Sequence, residues 1–194
     1  MKFARKFSAV IVLAGLVVFA LPAFAQRDEI PKSISGSVGG ALSWAERGFL
    51  SVAEAMPESK YSYLPTGGNF EGVRSFGEQV KHVACAQFAF FNEIEAKTPP
   101  VGCEKGGPST AKTKAELIQY VRDSFAYGDR VLATITPQNA VERVEGPYAG
   151  PNTKLGMAVT AVWHITDHYG QLVVYLRLNG IVPPVTQQYP LKVR

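Results

Sequence analysis

Four stretches of the chain have apolar residues that recur every three or four positions, the spacing that places them on one face of a helix. They cover residues 41–56, 75–96, 113–136 and 153–179. The first stretch ends at Met56 because Pro57 cannot continue a helix, and the last ends at Asn179-Gly180 with Pro183-Pro184 beyond it. No stretch alternates strictly between apolar and polar residues, as a half-buried strand does. The pattern therefore predicts an all-α fold, a bundle of four helices over residues 41–184.

Two of the predicted helices begin with a capping box. Ser75 is followed three residues later by Glu78, and Thr113 by Glu116. In this motif the hydroxyl and the carboxylate each accept a hydrogen bond from a backbone N–H that has no partner within the helix. The starts of helices two and three are thus predicted from local chemistry alone.

The first 25 residues have the composition of a cleavable secretory signal peptide. Basic residues precede an apolar stretch over residues 9–20, and Ala23-Phe24-Ala25 forms a small-x-small cleavage site. The apolar stretch is too short for a good membrane span, and Gln26 rather than cysteine follows, which argues against a lipid anchor. We expect a mature protein in the periplasm or outside the cell, without a membrane partner. A loose lead-in is predicted over residues 26–40 and a tail over residues 185–194.

The net charge of the chain comes mostly from the predicted signal peptide. The whole sequence has 20 basic and 16 acidic side chains, and without residues 1–25 it has 17 and 16. A net charge of about +1 provides no electrostatic footprint for nucleic acid, so we expect no nucleic-acid partner.

The two cysteines, Cys85 and Cys103, belong to a chain predicted to reach an oxidising compartment. A disulfide between them is the first interpretation, and it would link the second predicted helix to the loop that follows it. The alternative is that Cys85 is a metal ligand, because it follows His82 by three residues on nearly the same helix face.

Two histidines in the last predicted helix are four residues apart. His164 and His168 would lie one above the other on a face that also carries Ala161, Ile165 and Leu172. Both imidazoles would point into the protein and could reach one ion. The pair therefore indicates half of a metal site, and the chain has one further histidine, His82.

The order and spacing of several motifs resemble the DinB-like superfamily, of the DinB/YfiT type. These motifs are the Ser-Phe-Gly-Glu-Gln-Val start of helix two with its histidine, the H-x-x-x-H pair, the Ala-Glu-Ala-Met-Pro end of helix one and the Asn-Gly-x-x-Pro-Pro tail. The resemblance extends from about Ala41 to Pro184. It implies a four-helix bundle in which His82, His164 and His168 bind a divalent metal ion.

Three neutral imidazoles leave a first-row divalent ion with at least one open position for water or substrate. Such an ion lowers the pKa of a bound water or thiol toward neutrality. We expect zinc or nickel, and iron or manganese also suit these ligands.

The resemblance implies a metal-dependent hydrolase or a thiol-dependent transferase that acts on a small molecule. An extracytoplasmic location argues against the thiol-dependent transferase, because low-molecular-weight thiols are mainly cytosolic. The alternative is a non-catalytic metal-binding or ligand-binding module. A homodimer is compatible with exposed apolar helix flanks.

Three carboxylates near these motifs are candidate supporting groups. Glu78 is a candidate hydrogen-bond partner or general base, although its capping-box role already explains it. Glu54 is a candidate acid or base only if its face turns inward, and Asp167 is expected to face solvent. Trp163, Tyr169 and Tyr175 are predicted to lie in the core or at its rim.

Overall fold

Helices make up most of the computed structural model, which describes residues 30–188. They are α1 (Ile34–Ala55), α2 (Phe76–Ile94), α3 (Lys114–Leu132), α4 (Lys154–Leu178) and the short α5 (Pro184–Gln188). All five belong to a unit that begins at Pro31. The predicted signal peptide and the last six residues of the predicted tail lie outside the described residues. The mainly helical fold predicted from the apolar pattern is confirmed.

The four long helices surround one apolar core. α1 and α2 each pack against both α3 and α4. The apolar face of every long helix points inward, so the largest buried side chains come from all four, among them Phe49, Phe76, Phe91, Phe125, Ile165 and Leu172.

Contacts at one end of the bundle define the helix directions. Tyr61, just beyond the end of α1, packs on Phe76 at the start of α2, with ring centroids 5.2 Å apart. Lys114 at the start of α3 places its ammonium 5.9 Å from the same tyrosine ring. Tyr175, near the end of α4, lies 6.5 Å from the Phe76 ring. Thus α1 and α4 run in one direction and α2 and α3 in the other.

Helix α1 begins at Ile34 and not at Ala41, so the predicted loose lead-in is helical over its second part. The hydroxyl of Ser33 caps the helix by accepting a hydrogen bond from the Gly36 N–H at 2.9 Å. Ile34 and Val38 pack against the core and support this extra length. Glycine and serine in the segment reduced its helical signal in the sequence.

Helix α3 ends at Leu132, four residues before the predicted end at Thr136. The N–H groups of Thr134 and Ile135 donate to carbonyls three residues back, which tightens the last turn. The amide of Asn139 then donates to the Thr134 carbonyl and accepts from the Thr136 N–H. A side chain beyond the apolar stretch therefore ends the helix before Pro137.

The prediction of an all-α chain misses one small antiparallel pairing. Arg143–Val144 (β1) pairs with Asn152–Thr153 (β2) in the connection before α4. Strands of two residues are too short to produce an alternating pattern in the sequence.

Trp163 lies on the surface and not in the core or at its rim, with 64% of its side chain exposed. It lines a shallow apolar groove between α1 and α4, with Val38, Ala41 and Val159.

The predicted C-terminal tail is helical at its start, because α5 covers residues 184–188 and contacts α1. Within residues 30–188, no helix combines the length and apolar character needed to span a membrane.

Candidate metal centre

Three imidazoles converge where α2 packs against α4. His82 comes from α2, and His164 and His168 are one turn apart in α4. Their ring centroids are 4.6 to 5.0 Å apart, and one potential ligand nitrogen from each ring lies within 4.8 Å of the others. Among the side chains of residues 30–188, this is the one group of His, Cys, Asp and Glu close enough to hold a metal ion. The structure thus brings together the three histidines identified in the sequence.

The ring of His82 is oriented by a backbone carbonyl. Its Nδ1 lies 2.6 Å from the carbonyl oxygen of Cys103. A carbonyl can only accept, so Nδ1 carries the proton and donates it. The neutral imidazole then has its lone pair on Nε2, the nitrogen that faces the other two rings.

The ring of His168 is oriented by a buried amide. Its Nδ1–H donates to Oε1 of Gln79 at 3.0 Å, and only 2% of Gln79 is exposed. The Gln79 side chain also lies near the hydroxyl of Tyr175, which donates to the carbonyl of Arg74 at 2.9 Å. This chain of contacts fixes the amide, and the amide leaves Nε2 of His168 as the ligand nitrogen. Metal-binding histidines generally have such a partner on the other ring nitrogen.

His164 is held by packing and not by a hydrogen bond on Nδ1. Its ring meets the ring of Phe90 edge to face, with centroids 5.3 Å apart. Nδ1 of His164 is buried and has no hydrogen-bond partner among the described residues. Its Nε2 lies 3.1 Å from Nε2 of His82. Because Nε2 of His82 is an acceptor, Nε2–H of His164 is the donor of that contact.

Burial keeps all three imidazoles neutral. Desolvation lowers the pKa of His164 to about 3 and the pKa of His168 to about 4. The pKa of His82 is also lowered, again mainly by burial. The positive charge of Arg74 contributes to the lowering at each ring. Neutral imidazole is the form that binds a metal ion, so the ligands need not lose protons near neutral pH.

With the His164 proton on Nδ1, the Nε2 atoms of His82 and His164 have the spacing that a shared divalent ion requires. Two imidazole nitrogens that bind one zinc ion at about 2.0–2.1 Å are roughly 3.0–3.4 Å apart. The two Nε2 atoms of His82 and His164 are 3.1 Å apart. Three nitrogen donors suit zinc, nickel or iron and leave coordination positions for other ligands.

Cys85 and Cys103 form a disulfide, with Cα atoms 5.2 Å apart. The two sulfur atoms are bonded to each other, so Cys85 does not supply a thiolate ligand in this structure. The disulfide is close to the centre nonetheless, because the Cys103 carbonyl holds His82.

None of the three candidate carboxylates joins the imidazoles. Glu78 accepts from the N–H and the hydroxyl of Ser75 at 2.7 and 2.8 Å, so it serves the capping box. Glu54 is exposed and pairs with Arg122 at 2.5 Å. Asp167 faces solvent as expected and accepts from the amide of Gln171.

Sequence reasoning missed three groups at this site: Gln79, the Cys103 carbonyl and Arg74. Gln79 could have been found, since it is a polar residue on the apolar face of α2, three positions before His82. The carbonyl and the arginine could not, because loop packing brings them to the site.

Comparison with known proteins identifies the family. The sequence profile of the DinB superfamily matches residues 41–172. No curated protein matches the chain.

Solved structures show the same fold. A DinB-like protein from Bacillus subtilis has 20% sequence identity and a TM-score of 0.58, with 74% of this chain and 92% of that chain covered. A DinB-like protein from Bacillus cereus has 15% identity and a TM-score of 0.64, with coverage of 80% and 98%. A conserved protein from Enterococcus faecalis has 16% identity and a TM-score of 0.61, with coverage of 76% and 98%. The chain described here belongs to the DinB superfamily, which confirms the resemblance found in its motifs.

Proposed function

We propose that the protein binds a divalent metal ion through His82, His164 and His168 and uses it in a reaction on a small molecule. The observation that carries this proposal is the convergence of three neutral imidazoles, two of which have their Nδ1–H held by a fixed acceptor. Such partners orient a ligand and raise its basicity. We propose zinc or nickel, with iron or manganese as the next candidates.

The reaction that we propose is hydrolysis or thiol transfer. An ion held by three imidazoles supplies Lewis acidity and lowers the pKa of water or a thiol in its open positions. The three ligands are neutral, so they do not compensate the charge of the ion. The positive charge of Arg74 acts on the same three rings. Both features favour a substrate that carries negative charge.

A non-catalytic metal-binding module is the second candidate, and one feature favours it. Phe90 packs against the ring of His164, and His168 is only 7% exposed. The side chains of Phe90 and His168 restrict the access of a substrate to the metal site. Access remains through His82 and His164, which are only partly buried.

We also propose that the mature protein works in the periplasm or outside the cell. A buried disulfide supports this location, since such bonds persist in oxidising compartments. Cell fractionation and N-terminal sequencing test it, with Gln26 expected as the first residue.

We also propose a homodimer. Light scattering after size-exclusion chromatography measures the oligomeric state.

Metal content measured by mass spectrometry tests the site itself. The protein is purified without a histidine tag, beside the His164→Ala and His168→Ala variants. We expect about one equivalent of metal per chain in the wild type and at least a tenfold loss in each variant. Loss of a ligand removes one of three bonds and leaves the others too few to retain the ion.

Asp167→Asn is the matched control, because it changes a neighbouring exposed side chain and leaves every imidazole in place. It should retain the metal. Wild-type protein without metal, and without a change in melting temperature on addition of Zn²⁺ or Ni²⁺, would exclude the proposal. Turnover of ester, amide or thiol-transfer substrates that is lost in His164→Ala would support the metal-dependent enzyme. Metal binding without turnover would support the non-catalytic module.

A further inference from the structure

The connection between α2 and α3 passes the metal centre because of the bundle topology. The two helices run in the same direction, so residues 95–113 must travel back along the bundle before α3 can start. Near the middle of this crossover, Cys103 is bonded to Cys85 in α2. The disulfide therefore attaches the crossover to the helix that carries His82, one turn before Cys85.

The segment around Cys103 is folded tightly against the disulfide. The N–H groups of Lys105 and Gly107 both donate to the carbonyl of Gly102, at 2.9 and 2.8 Å. Gly107 has a φ of +68°, and a Cβ at this position would lie 2.2 Å from Sγ of Cys85. Only glycine permits this approach, so the path of residues 102–107 is set by contact with the disulfide.

Two consecutive carbonyls of this segment accept hydrogen bonds from side chains, one of which is the proposed ligand His82. The Cys103 carbonyl accepts from Nδ1–H of His82 at 2.6 Å, and the Glu104 carbonyl accepts from Nε–H of Arg74 at 2.9 Å. One short piece of backbone thus orients a proposed ligand and the Arg74 side chain.

We propose that the Cys85–Cys103 disulfide is a positioning element for the metal centre. It holds the Cys103 carbonyl against His82, which keeps the proton on Nδ1 and the lone pair on Nε2, ready for a metal ion. Without the covalent link, the crossover gains conformations in which the carbonyl leaves the ring. The imidazole can then rotate and exchange its proton between the two nitrogens. This inference rests on the proposed function in taking His82 as a ligand.

The surroundings of the disulfide indicate a permanent link. Cys85 and Cys103 are 0% and 1% exposed, and the rings of Tyr120 and Tyr148 pack over them. A reductant in solution therefore has no direct access to the sulfurs. The disulfide acts by holding geometry and takes no part in electron transfer.

The test compares the wild-type protein with a Cys85→Ala/Cys103→Ala double variant, which leaves no polar group at the buried positions. ¹⁵N NMR of the metal-free proteins reports which nitrogen of His82 carries the proton. We expect one form in the wild type, protonated on Nδ1, and a mixture of both forms in the double variant. The affinity for Zn²⁺, measured by competition with a chelator, should fall about tenfold or more, as it does when a metal-binding histidine loses its hydrogen-bond partner.

Loss of a disulfide also lowers the stability of the whole chain, so a control must separate the two effects. Leu132→Ala removes buried apolar contacts at the end of α3 opposite Lys114. It should retain both the His82 tautomer and the Zn²⁺ affinity. If the double variant does not fold, the same readouts are taken on the Cys103→Ala single variant, which also lacks the covalent link but keeps the buried side chain of Cys85.

An unchanged tautomer together with a Zn²⁺ affinity within twofold of the wild type would overturn the inference. Wild-type protein that is purified without metal and binds neither Zn²⁺ nor Ni²⁺ would instead refute the proposed function. In that case the tautomer comparison still decides whether the disulfide positions His82, because it is made without metal.

Discussion

Single hydrogen bonds decide which nitrogen each histidine presents at the centre. The Cys103 carbonyl and the Gln79 amide oxygen each accept a proton from Nδ1, so the Nε2 atoms of His82 and His168 are left as ligands. The spacing of His164 and His168 predicts that two rings can reach one ion. It does not predict the tautomers, which depend on acceptors that lie far from each ring in the sequence.

Cys103 is 21 positions from His82, and Gln79 is 89 positions from His168. Both separations are far beyond one helix turn, so packing between distant segments decides the tautomers.

At this scale we predict that the acceptor at position 79 controls metal affinity. Gln79→Leu removes the partner of the His168 Nδ1–H and should weaken Zn²⁺ binding about 10- to 100-fold. Gln79→Glu is the matched control, since its carboxylate still accepts from Nδ1–H and should keep the affinity within a few-fold of the wild type. Calorimetric titration with Zn²⁺ measures both. Equal affinities in the leucine variant and the wild type would show that the amide has no role in orienting the ligand.

At the scale of the element, local chemistry explains where α2 and α3 begin. Both predicted capping boxes are present, with Ser75 and Glu78 at one start and Thr113 and Glu116 at the other. The ends that were predicted wrongly depend on contacts outside the helix. Ile34 packs against the core and extends α1, and the Asn139 side chain ends α3.

Close packing between helices predicts opposite effects for two glycine substitutions. A Cβ at Gly128 in α3 would lie 2.5 Å from the Phe91 ring of α2, so Gly128→Ala should destabilise the protein by about 1–3 kcal/mol. Gly39→Ala in α1 meets no atom within 4 Å and should stabilise it by about 0.5–1 kcal/mol, because alanine loses less backbone entropy. Urea denaturation of the two variants measures both changes. The same sign for both would contradict the packing argument.

At the scale of the whole molecule, the buried imidazoles couple folding to pH. Burial lowers the pKa of His164 to about 3 and of His168 to about 4, whereas an unfolded histidine has a pKa of about 6.5. Between these values the unfolded chain binds protons that the folded chain does not. The free energy of unfolding therefore rises with pH through this window and falls as the pH drops below about 6.5.

We predict that metal-free protein loses stability between pH 7 and pH 5, by up to about 1.4 kcal/mol per pH unit for each histidine that protonates on unfolding. The chain has three histidines and all lie at the centre, so few other groups contribute in this range. Urea denaturation at several pH values, with a chelator present, gives the slope. His164→Leu should show a shallower slope, and identical slopes would refute the assignment to this ring.

Features that depend on neighbouring residues can be predicted from the sequence. Apolar spacing predicted the long helices, capping boxes predicted two of their starts, and the motifs indicated the DinB superfamily. The pair His164 and His168 was visible because one helix turn places the two rings together.

The completion of the centre depends on packing between distant segments. Packing of α2 on α4 brings His82 to the pair, and the crossover brings the Cys103 carbonyl to His82. The physical reason is that these contacts join residues far apart in the chain, and one of them uses a backbone atom that every residue type has. Apolar periodicity specifies which face of a helix is buried, whereas the partner that covers that face is selected by the packing of the whole bundle.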